Sequence, residues 1–89
     1  MKSILYYFRA VSGEEIPRIH HGTLAELQGM FMGSVTPIIR TQDIDTEALR
    51  QEKLELFKEQ LKTTQKAKTG LIHDLEWVIS ELTILNVKC

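Results

Sequence analysis

The stretch DTEALRQEKLELFKEQLKTTQKAKTGLIHDLEWVISELTILN, residues 45–86, decides how this chain folds. From Leu54 its apolar residues fall at Leu54, Phe57 and Leu61, then at Leu71, Leu75, Val78, Leu82 and Leu85. Steps of three and four residues keep side chains on one face of a helix, so nearly the whole stretch is predicted helical. Polar Thr64 and Lys68 occupy the positions that would join the two runs into one heptad series.

The middle of the stretch supports two architectures. Lys62, Lys66 and Lys68 suit the C-terminal end of a helix, where the carbonyl end of the dipole favours cations, and Gly70 suits the position just beyond it. Asp74 and Glu76 then fall in the first turns of a second helix, where negative charge is favoured. This pattern predicts a helical hairpin of two helices of roughly 20 residues, each about 30 Å long. Against it, the apolar phase resumes correctly after the break, as one continuous coiled-coil helix requires. A single mid-helix glycine costs only about 1 kcal/mol, so Gly70 does not forbid continuity. The coincidence of break and charge asymmetry favours the hairpin.

In the second segment Leu71, Ile72, Leu75, Val78, Ile79, Leu82 and Leu85 make an apolar face broader than a coiled-coil seam, which predicts packing on more than one element. The first segment is narrower. Leu49, Leu54, Leu56, Phe57 and Leu61 are assigned to one side, opposite a charge-laced face that reads as solvated. Trp77 and Ile84, seven residues apart and near His73, point away from the Leu71/Leu75/Leu82 face. The bland reading covers this stripe with the N-terminal strands or a second copy of the chain. The functional one makes it an exposed anchor for a different protein, since Trp is enriched at binding hot spots.

Working outward, Ile4–Val11 (ILYYFRAV) is rich in β-branched and aromatic residues and predicts a strand apolar on both faces, hence central or covered twice. Ser12–Glu15 reads as a turn with Gly13 at positive φ. Ile16–His20 is a second strand that Pro17, lacking an N–H, pushes to an edge. Thr23–Met32 predicts a short helix, with Thr23 and Glu26 at capping-box spacing, an apolar face of Leu24, Leu27, Met30 and Phe31, and Gly33 at its end. Residues 33–42 are extended, as a connector or a third strand. Asp43 or Asp45 caps the long helical region.

Composition bounds the rest. The 89 residues are 43% hydrophobic with a net charge of −1, enough for one small domain of modest stability unless it oligomerises. Near-neutral charge argues against a nucleic-acid-coating protein. The single cysteine, Cys89, excludes an internal disulfide framework and suits a reducing cytoplasm. The N-terminal apolar run carries Arg9 and is too short for a signal peptide or a membrane span.

Catalytic chemistry finds no footing here. The five glycines are scattered and make no phosphate loop. His20 and His21 are adjacent in a strand and point to opposite faces, and neither His73 nor Cys89 lies at metal-ligand spacing from them. Ser12, Ser34 and Ser80 lack a nucleophile context. The expectation is therefore a non-enzyme with no cofactor and no metal. Lys62, Lys66 and Lys68, with Arg40, form a weak basic cluster that Glu52, Glu55 and Glu59 oppose.

These readings give an α+β chain. A small N-terminal β-hairpin with a short helix (residues 1–42) precedes a long C-terminal helical hairpin or one continuous coiled-coil helix (residues 43–89), all within a single small domain. The expected function is a small cytoplasmic binding protein that docks on another protein through Trp77, Ile84 and His73, as adaptor, inhibitor or regulatory subunit. Its size matches accessory proteins of viruses or mobile elements. Homodimerisation through the second helix is expected because so short a chain would struggle to bury that broad face alone. The alternatives are a dimeric nucleic-acid-binding regulator using Lys62, Lys66, Lys68 and Arg40, and a structural coiled-coil subunit of a larger assembly.

Overall fold

The computed structural model describes residues 2–33, 37–64 and 69–88. The chain divides into two compact units, Met1–Asp45 and Thr46–Cys89. In order they contain β1 (Ser3–Arg9), β2 (Glu15–His21), α1 (Leu24–Met30), β3 (Ile38–Asp43), α2 (Glu47–Thr63) and α3 (Thr69–Lys88). The class is α+β, as the sequence predicts.

The first unit is a three-stranded antiparallel sheet in the order β2-β1-β3. The extended run after α1 is thus a third strand, and it places β1 in the centre. That position explains why β1 is apolar on both faces. Ile4, Tyr6 and Phe8 face α1, where Ile4 and Tyr6 are buried with Leu27, and Phe8, Phe31 and Ile38 pack against them. The Tyr6 ring meets Phe31 edge-on with centroids 5.6 Å apart. Leu5 and Tyr7 lie on the opposite face beside Pro17 and Ile19, all buried.

The turn begins two residues earlier than predicted and spans residues 10–14. Ala10 N–H bonds to Glu14 C=O (2.9 Å) and Gly13 N–H to Ala10 C=O (2.8 Å), so Ala10 and Val11 leave the strand and Val11 is exposed at the tip. Gly13 has φ +93°, which L side chains rarely adopt. Pro17 sits on an edge strand as expected, and its register is specific. Gly22 N–H bonds to Lys2 C=O and Ala10 N–H to Glu14 C=O, so even-numbered β1 residues make the ladder bonds to β2. Pro17 pairs with odd-numbered Tyr7, at a site where the missing N–H would have pointed outward.

Several local expectations need correction. Helix α1 stops at Met30, and its predicted apolar face is half wrong: Leu27 is buried, but Leu24 and Met30 are exposed. Neither Asp43 nor Asp45 caps α2. Thr46 does, its hydroxyl accepting from Leu49 N–H at 3.3 Å. The two carboxylates serve the strand exit instead, Asp43 accepting from Asp45 N–H (3.1 Å) and Asp45 from Ser3 N–H.

The second unit is an antiparallel helical hairpin. Arg50 Nε donates to Asn86 Oδ1 (3.2 Å) and Asn86 Nδ2 to Gln51 Oε1 (3.1 Å), joining the start of α2 to the end of α3. One continuous helix cannot make those contacts, and Thr64 ends α2 with extended backbone (φ −73°, ψ 130°). The stop therefore follows Lys62, which lies in the last turn of α2 as expected, and Gly70 lies inside the first turn of α3 rather than beyond α2. No acidic residue occupies that first turn; Asp74 and Glu76 come one turn later. On α2 the buried line runs Arg50, Leu54 and Phe57, with Leu49 and Leu61 half-buried. Leu56, about 100° of helix rotation from Phe57, is 49% exposed and does not belong to the face assigned to it. On α3 Leu71, Leu75, Val78 and Leu82 are buried in one row, flanked by half-buried Ile72, Ile79 and Leu85.

Candidate functional site: the outward stripe of α3

A helix turns about 100° per residue, so Trp77, Ser80 and Ile84 project from one side of α3, roughly opposite the row through Leu75 and Leu82. Trp77 is 38% and Ile84 45% exposed, and His73 one turn earlier is also exposed. Val87, 80% exposed, extends the stripe by a further three residues. It was legible in the sequence, since 84 to 87 is a helical step, and was missed because it is the last apolar residue before a charged end. From His73 to Val87 the stripe rises about 21 Å along the axis. Glu76 borders it on one side and Glu81 on the other.

The residues named for the alternative basic site divide between the two units. Lys62 lies exposed in the last turn of α2, in the helical unit. Lys66 and Lys68 fall outside the described residues. Arg40 belongs to β3 in the sheet unit, where its guanidinium contacts Glu15 Oε2 at 3.3 Å and lies 4.2 Å from the centroid of the Tyr7 ring. Burial raises the Tyr7 pKa above its ordinary value near 10, while the hydrogen bond and charge of Arg40 pull it back. Burial likewise raises Tyr6, with Arg18 opposing.

His20 and His21 face opposite sides of β2, His21 Nδ1 lying 3.3 Å from Ser3 Oγ, while His73 is on α3. Among the described residues no group of three His, Cys, Asp or Glu side chains could hold a metal ion. Buried His20 Nε2 has no hydrogen-bond partner among the described residues. No helix among the described residues is long and apolar enough to cross a membrane. Comparison of the chain with protein-family models, with curated proteins and with solved structures finds no match.

Proposed function

We propose that this chain is a small non-enzymatic binding protein that docks on another protein through the outward stripe of α3, as an adaptor, inhibitor or regulatory subunit. The observation that carries this reading is the exposure of Trp77 and Ile84 on a helix whose other side is already packed. The broad Leu71–Leu82 face offered a reason for dimerisation, but it is buried within the single chain. What remains outside is a narrow Trp-centred strip suited to lie in an apolar groove of a partner. Trp77 supplies most of the contact area, and Glu76 and Glu81 set the orientation.

The test is affinity capture from cells expressing the tagged chain, repeated with Trp77→Ala and with an Ile84→Ala/Val87→Ala double variant. A partner held by the parent and lost by both variants, with unchanged helical circular dichroism, supports the reading. If both variants retain every partner, the stripe is not the docking face. If Trp77→Ala instead unfolds the protein, Trp77 serves the fold and the anchor assignment fails.

A further inference from the structure

A second feature lies on the sheet, independent of the α3 stripe. Among the described residues both outer strands of the three-stranded sheet carry an unpaired edge, but the two edges differ. On β2, Pro17 removes an outward N–H. On β3 the ladder bond from Ile44 N–H to Ser3 C=O (2.9 Å) fixes the phase: residues paired with odd-numbered β1 positions point their backbone inward. Thr41 and Asp43, paired with Tyr6 and Ile4, therefore turn N–H and C=O outward, and both are exposed. The same two residues line a cavity of about 190 Å³ with Lys2, Ile4 and Leu24. Its floor is buried Ile4 and one wall is exposed Leu24 of α1.

We propose that the β3 edge binds an extended segment of a partner protein as a fourth strand, with a long aliphatic side chain of that segment leaning over Thr41 into the cavity. Backbone hydrogen bonds to Thr41 and Asp43 supply the affinity, and the cavity selects the side chain. A second copy of this chain fits poorly as the occupant. In a two-fold antiparallel pairing of β3 with itself, outward residues must face outward residues, which leaves few registers. Pairing Thr41 with Ile39 sets Arg40 opposite Arg40, and pairing Thr41 with Thr41 sets the two Arg40 side chains diagonally adjacent. Pairing Thr41 with Asp43 brings the two Asp43 carboxylates diagonally together. Like charges at such positions destabilise a sheet. A foreign strand escapes this restriction.

The probe is a blocked synthetic peptide, Lys-Thr-Val-Thr-Leu-Thr-Val-Thr-Lys, titrated into the full chain and followed by backbone amide resonances. The expected result is perturbation centred on Thr41 and Asp43 and absent from β2, with binding weakened about tenfold when the central Leu of the peptide is Gly. Thr41→Pro removes the outward N–H without breaking a bond to β1 and should abolish binding. Leu24→Glu, an exposed position, should weaken the Leu peptide while leaving the Gly peptide unchanged, and decides the matter if Thr41→Pro fails to fold. Trp77→Ala should leave peptide binding intact, which separates this site from the α3 stripe. Absence of binding at millimolar peptide, perturbation centred elsewhere, or concentration-dependent shifts at Thr41 without peptide would each overturn the proposal, the last by naming a second copy as occupant.

Discussion

Phe57 is the largest side chain fully buried in the helical hairpin, and its replacement leaves a hole that α2 and α3 can close only by shifting towards each other. Phe57→Ala should destabilise the protein by about 3–5 kcal/mol in urea unfolding, whereas Leu56→Ala, one position away, should change it by less than about 1 kcal/mol. Arg40 acts on a smaller scale, since its ion pair with Glu15 is mostly solvated and its stacking on Tyr7 is worth little more. Arg40→Ala should cost about 1 kcal/mol, and it should push the Tyr7 titration further upward, because Arg40 is what holds that pKa down against burial. The alkaline limb follows from both tyrosines. Their folded pKa values lie above the unfolded value near 10, so the folded state keeps protons that the unfolded state loses. Stability is complete below pH about 10 and falls as pH climbs from there through the folded values, which phenolate absorbance and a pH series of denaturation curves would register. Unchanged stability across that range would mean the two hydroxyls are solvated. Gly22 has φ +152°, and the space a Cβ would need is crowded by the Glu26 carboxylate and His20 Nε2, so Gly22→Ala should destabilise by about 1–2 kcal/mol.

At the scale of elements, the hairpin depends on a few polar ties at its open end. Buried Arg50 donates to Asn86 Oδ1, and Asn86 Nδ2 in turn donates to Gln51 Oε1. Arg50→Ala strands that amide and should cost about 2 kcal/mol, with Asn86→Ala less damaging because Asn86 is only half-buried. The order of these two effects in a denaturation series is the check. The periodicity of residues 54–85 made both helices legible, because three-four spacing is a direct record of which side chains share a face. The choice between hairpin and continuous helix was harder, since Gly70 and the lysines fit either outcome and the deciding contacts join residues 35 and 36 positions apart. Caps were misread for a related reason: Asp43, Asp45 and Thr46 are all competent acceptors, and only the path of β3 shows that the carboxylates are already in use.

At the scale of the whole chain, the sequence made β1 legible as a central strand because it is apolar on both faces, even though its second neighbour lay hidden behind Pro37. The Trp77/Ile84 stripe was legible as a phase discrepancy, but its exposure was not, because periodicity says which residues share a side and nothing of what covers it. Net charge near zero carries a prediction of its own. Docking through an apolar strip should change affinity by less than about threefold between low and physiological salt, whereas six to ten phosphate contacts would lose about 10³–10⁵ over a comparable range. A steep salt slope in partner titrations would return the nucleic-acid reading to the front.

Pro17 has a further effect that concerns crowds of molecules rather than one. A sheet with two open margins can recruit neighbours on both sides and grow without limit, the geometry from which fibrils start. With one margin missing a donor beside Tyr7 and the other poorly matched to a second copy of itself, edge-to-edge growth is held back on both sides. Exchanging Pro17 for Thr would restore the donor and turn a self-limiting edge into one that can propagate.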